Sequence, residues 1–208
     1  CAGCRARLNH FDKWAKRDYG AAIMTYTVAA LYHFASFSDH VALRQPLLDL
    51  CVEQGIKGTL LLAAEGVNGT IAGSEAGIAA VVDHIRALPG CNGLEVKYST
   101  AKDMPFQRTK VRLKKEIVTM KVDGLDPAKH AGHYVQPQDW NAFIDDPDTV
   151  VIDTRNDFEV DYGTFEGAID PKTRSFGEFP QWWDEHAEEF AGKRIAMFCT
   201  GGIRCEKS

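Results

Sequence analysis

No apolar run in this chain reaches the length of a membrane span. The longest, AAIMTYTVAALYHF, is too short and too rich in β-branched and aromatic residues, and reads as a strand. No basic segment followed by an apolar one marks a secretory leader. Cysteine is sparse: Cys1, Cys4, Cys51, Cys91, Cys199 and Cys205 are too few and too scattered to staple a secreted domain. A reducing cytoplasm is therefore the expected setting. Positive charge is also in deficit, with 24 Lys and Arg against 29 Asp and Glu and a net charge of -5. That balance excludes a generally basic nucleic-acid coat but leaves room for a local patch. Repeats and low-complexity tracts are missing as well. What is present is an ordinary globular composition, 45% hydrophobic and 25% charged over 208 residues. Such a chain can bury the core of one large or two ordinary domains.

Residues 1–23 have no clear period and read as an N-terminal extension that need not be native, with Met24 as a natural start. From 24 to 124 the pattern is β-α-β-β-α-β, the order of a ferredoxin-like two-layer domain. TYTVAALYHF is its first strand. DHVALRQPLLDLCVEQG is an amphipathic helix, with Pro46 expected to place or bend its first turn. IKGTLLLAAEG and VNGTIAG are strands about a tight turn, for which Asn68-Gly69 tolerates positive φ. SEAGIAAVVDHIRAL is a helix capped by Ser74 and stopped before Pro89-Gly90. LEVKYST and KVRLKKEIVTM complete the set as strands. A linker rich in Gly, Pro and His puts a boundary near residue 125. Over 125–208, helical PQDWNAFID and EFPQWWDEHAEEF alternate with the apolar strands TVVIDTR and KRIAMFC, which implies a parallel sheet.

The second of those strands runs into CTGGIRC, residues 199–205. In parallel α/β sheets chemistry collects at the carboxyl ends of strands, where Cys199 sits. Gly201 and Gly202 allow a curl in which the N–H groups of Thr200 to Ile203 point inward as an anion nest. Such a nest lowers a thiol pKa, and Arg204 is placed to close the ring with a permanent charge. A cysteine-phosphatase cradle has its arginine six positions after the cysteine; here that position is Cys205 and the arginine comes one residue early. The smaller ring suits sulfur better than a phosphoryl group, and serves a reactive thiolate or its persulfide.

The loop resembles the active-site loop of rhodanese domains, and VVIDTRNDFEVDYGTFEGAID resembles the segment upstream of it in those domains. Asp153 and Arg155, at the end of that strand, are then supporting residues rather than reacting ones, and Cys205 is a packing residue at a helix start or a resolving thiol. AAEGVNGTIAG, KDMPFQRTKVRLKKEIVT and CTGGIRCEKS together resemble the rhodanese-containing tRNA uridine hydroxylase family over residues 24–208. The resemblance implies a ferredoxin-like domain joined to a rhodanese domain. It also implies oxygen-dependent hydroxylation at C5 of the wobble uridine, with molecular oxygen as co-substrate and Cys199 as the essential cysteine. It further implies that the second domain continues beyond the helix that CTGGIRC begins, so that residues 125–208 are its linker and first part. A plain sulfurtransferase and a non-catalytic RNA-binding module are the competing readings.

Lys102, Arg108, Lys110, Arg112 and Lys114, with Phe106 among them, are the candidate RNA contacts. Alternation with Val111 and Leu113 is expected to turn one strand face basic and the other to the core. Cys1 and Cys4 form half of a zinc-ribbon pattern without a second pair, with His10 alone nearby; the family carries a similar CxxCR segment near its C-terminus. His130 and His133 read as loop residues. No certain cofactor or metal follows from these features.

Overall fold

A computed structural model describes residues 25–125, 127 and 131–208. It is a mixed α/β molecule with a five-stranded sheet and a two-stranded parallel sheet. None of the described helices is long and apolar enough to cross a membrane.

The first part contains β1 (Tyr26–Phe34), α1 (His40–Glu53), β2 (Lys57–Ala63), β3 (Gly66–Gly73), α2 (Glu75–Arg86), β4 (Glu95–Ala101) and β5 (Thr109–Leu113). The sheet order β4-β1-β3-β2-β5 is the expected ferredoxin-like arrangement with β5 added in parallel beside β2. Ser74 caps α2 through a bond from the Gly77 amide, as its sequence predicts, and Asp39 caps α1 in the same way. Both helices cover one sheet face. Leu47, Leu60, Leu62, Val67, Ile71, Ile78, Val81 and Ile85 are fully buried between them, each stabilising the fold by about 1.5 to 3 kcal/mol.

Two expectations are corrected. The β2–β3 turn is made by Ala64 and Glu65, and Asn68-Gly69 lies inside β3. Gly69 is there for space rather than for a turn, since a Cβ on it would lie 2.1 Å from the Thr59 carbonyl oxygen. KVRLKKEIVTM is a strand only to Leu113, and Leu113 stays 38% exposed instead of joining the core. Beyond it, Glu116 accepts from the Met120 amide and Glu65 accepts from the Ile117 amide, so side chains replace the strand ladder.

The second part contains α3 (Pro137–Ile144), β6 (Thr149–Asp153), α4 (Asp157–Val160), α5 (Phe179–His186), β7 (Arg194–Phe198) and α6 (Ile203–Lys207). β6 and β7 pair in parallel, with Asp153 opposite Phe198. Ile152, Phe176 and Phe179 form a second core, to which Met120 contributes from the segment after β5. Where the two parts meet, Phe34, Ala63 and Ile117 are buried against Tyr32, Val118 and Ile203.

Candidate active site

Parallel pairing brings the carboxyl ends of β6 and β7 side by side, so Thr154 and Cys199 emerge from neighbouring strands. Thr154 ties the two exits together: its amide and hydroxyl both donate to the Phe198 carbonyl, at 3.1 and 3.0 Å. The chain then curls through Thr200 and Gly201 to Gly202, whose φ of +96° favours glycine. The curl aims the Gly202 amide at the Cys199 sulfur, 3.0 Å away. A side chain at Gly202 is also excluded by space, because its Cβ would fall 2.6 Å from the Tyr32 hydroxyl.

The Cys199 thiol is lowered to about 5, first by a hydrogen bond from the Cys205 thiol. Burial opposes the shift, and the amides of Cys205, Arg204 and Gly202 reinforce it. Cys205 is correspondingly raised by Cys199, and its sulfur lies 3.4 Å from the Thr154 hydroxyl. The proton of the pair therefore resides on Cys205. Cys51 and Cys91 are buried, and burial pushes both up to about 11.

These values give a testable profile. Alkylation of Cys199 in the full-length protein should be half-maximal near pH 5 and level above neutrality, with Cys51 and Cys91 unlabelled at pH 7. A rise centred near the ordinary thiol value of about 8.5 would refute the nest. Timed labelling with mass mapping distinguishes the two.

Arg204 faces two anions: its charge interacts with the Cys199 sulfur, and more strongly with Glu159. Its guanidinium makes a two-pronged pair with Glu159, at 2.6 and 2.8 Å, and Thr200 donates to the same carboxylate at 2.6 Å. The Arg204 bonds hold Glu159 down to about 2. Glu159 thus braces both ends of the loop, a role sequence reading missed; the acidic NDFEVD stretch after Asp153-x-Arg155 was the available signal. Asp153, fully buried, is gripped by Arg155 at 2.9 and 2.6 Å and by the Thr164 hydroxyl at 2.9 Å. Arg155 also lies over the Phe198 ring. This pair supports the strand end beneath the loop.

Residues of the first part reach the loop as well. Lys97 on β4 donates to the Gly201 carbonyl at 3.0 Å. Tyr32 on β1 borders Gly202, and burial together with Glu206 raises its hydroxyl pKa. On α6, buried Lys207 bonds Glu65 at 2.8 and 2.9 Å, Glu116 at 2.8 Å and the Val118 carbonyl at 3.0 Å. The loop is therefore clamped to the five-stranded sheet.

The five basic candidates do not form one row. Lys110 and Arg112 share the sheet face opposite the helices, Lys114 follows the strand end, and Lys102 and Arg108 lie on the β4–β5 connection. Cys1, Cys4, His10, Met24 and His130 lie outside the described residues, and His133 is exposed. Among the described residues no cluster of His, Cys, Asp or Glu is arranged to hold a metal.

Comparison with known proteins places this geometry in context. Residues 26–117 match a family model described as the UPF0176 acylphosphatase like domain. The tRNA uridine(34) hydroxylase of Roseobacter denitrificans is 63% identical over 183 residues, covering 88% of this chain and 62% of that protein. That of Brucella anthropi is 60% identical over 185 residues, covering 89% and 61%. An acylphosphatase structure from Coxiella burnetii aligns with 42% of this chain and 93% of its own at 12% identity, with a TM-score of 0.32. The chain thus spans about three fifths of the length of these curated relatives, and over that span it is similar to proteins named tRNA uridine(34) hydroxylase.

Proposed function

We propose that the chain is the part of a tRNA-modifying enzyme that carries the active-site cysteine, hydroxylating C5 of the wobble uridine with molecular oxygen as co-substrate. The observation that carries this reading is the Cys199 thiolate, held by backbone amides in a tight loop at the seam with the five-stranded sheet. Relatives of 60–63% identity bearing the hydroxylase name support it. In this reading residues 24–124 are the ferredoxin-like domain, and 125–208 the linker and first part of a rhodanese domain. Cys199 is the reacting group. The amides of Gly202, Arg204 and Cys205 stabilise its anion, and Glu159 with Arg204 fixes the loop's shape. The protonated Cys205 holds a transferable proton beside the sulfur. A cytoplasmic setting follows from the tRNA substrate.

Nucleoside analysis of tRNA from cells lacking the full-length protein tests the proposal. Loss of 5-hydroxyuridine-derived nucleosides is expected. Loss of thiolated nucleosides alone would replace the reading with a sulfurtransferase, for which the sulfur-sized loop is suited. An unchanged nucleoside profile would leave a non-catalytic RNA-binding module.

A further inference from the structure

The sheet face opposite α1 and α2 carries a pattern visible only once the strands are in register. One cross-strand row runs Lys97–Ala30–Thr70–Thr59–Lys110 through all five strands. The row beside it runs Glu95–Tyr32–Asn68–Leu61–Arg112, and Lys57 lies on the same face opposite Ala72. Among the strand residues on this face, Lys57, Lys97, Lys110 and Arg112 stand with Glu95, and Glu206 of α6 adjoins Tyr32, in a chain whose net charge is -5. Between Lys97 and Lys110 lie small or hydroxyl-bearing side chains, Ala30, Thr70 and Thr59, which remain partly exposed at mid-sheet.

We infer that this face is a track for an unpaired segment of RNA, crossing from β5 to β4 and delivering its base to Cys199. The inference rests on the reading of the chain as part of a tRNA-acting enzyme. A width of four strand spacings, roughly 19 Å, spans several nucleotides. Cations at both edges suit phosphates, and threonine hydroxyls between them suit sugar and phosphate oxygens. At the β5 edge the track opens into a cleft of about 290 Å³ lined by Phe106, Arg108 and Lys110, which offers a base an aromatic wall. At the β4 edge it meets the reactive loop directly, since Lys97 donates to Gly201 and the adjoining row places Tyr32 against Gly202. A protein partner is the poorer fit, because the row between Lys97 and Lys110 lacks the large apolar anchors that protein interfaces use.

The test measures binding of a tRNA carrying a wobble uridine to the full-length protein across a salt series. Changing Lys57, Lys97 and Lys110 together to Gln should lower the slope of log affinity against log salt by about 0.7 per lost contact. Thr70→Glu, which puts a negative charge at mid-track, should weaken binding at least tenfold. Arg86→Gln, on exposed α2 behind the sheet, should change neither quantity. If the wild type binds and hydroxylates tRNA while the triple variant, folded by circular dichroism, keeps its affinity and slope, the track is refuted and the enzyme reading stands. If the wild type neither binds nor modifies tRNA, the enzyme reading falls and the track with it.

Discussion

Replacing Cys199 by Ser in the full-length protein is expected to abolish the proposed uridine hydroxylation, on the order of a thousandfold or more, while tRNA affinity stays within twofold of wild type. The substitution preserves side-chain size in a loop whose turn is set by Gly202, so the fold has no reason to change. It removes the atom held at about pKa 5 by Cys205 and the loop amides. A serine hydroxyl in the same nest stays protonated near neutrality, because no general base adjoins it among the described residues. Arg204→Lys provides the graded comparison. Lysine keeps the charge but cannot reproduce the two-pronged pair with Glu159, whose bonds measure 2.6 and 2.8 Å. Losing one charge-assisted hydrogen bond costs about 1.5 to 3 kcal/mol, or roughly ten- to hundredfold in rate if the loop shape is felt in the transition state. Quantifying 5-hydroxyuridine in tRNA from complemented cells, alongside a filter-binding affinity, separates the two variants. Full modification by Cys199→Ser would refute the proposed chemistry.

Lys207→Met should destabilise the full-length protein by about 3 kcal/mol, the low end of the range for removing one partner of a buried ion pair. Lys207 is 3% exposed, and its ammonium is satisfied by both Glu65 and Glu116 and by the Val118 carbonyl. Methionine fills the volume but leaves two carboxylates without their shared cation. The effect carries a pH signature. Burial alone would raise Glu116, but the Lys207 ammonium and the amides of Met120 and Lys121 outweigh it and hold the carboxyl below its ordinary range. A depressed carboxyl stabilises the fold above its unfolded value of about 4.3, and that contribution is lost as pH falls through the folded value. The gap between wild type and Lys207→Met in urea midpoint should therefore be full at pH 7 and shrink below about pH 4. Adding Glu116→Gln to Lys207→Met should recover part of the loss at pH 7. A gap that ignores pH would show that packing, rather than the ion triad, fastens the loop to the sheet.

The sequence by itself determined those features whose causes lie within a few residues. Ser74 caps α2 because its hydroxyl reaches an amide three positions on. The alternation in TYTVAALYHF makes β1 a strand with Ala29 and Leu31 on the buried side. Cys199 followed by paired glycines announces a curled loop, and the glycine φ at Gly202 realises it. The KVRLKK segment shows the limit of this logic: its alternation correctly turns Val111 inward, but the strand ends at Leu113, and farther on the amides of Ile117 and Met120 bond the Glu65 and Glu116 carboxylates. Tertiary structure alone decided what fastens the loop. Arg204 meets Glu159 across 45 residues, Lys97 meets Gly201 across 104, and Lys207 meets Glu65 across 142. Likewise the cationic row from Lys97 to Lys110 exists only because the strand order β4-β1-β3-β2-β5 puts those two residues at opposite ends of one line. Periodicity reports which side of its own strand a residue occupies; the partner on the next strand is chosen by the packing of the whole sheet.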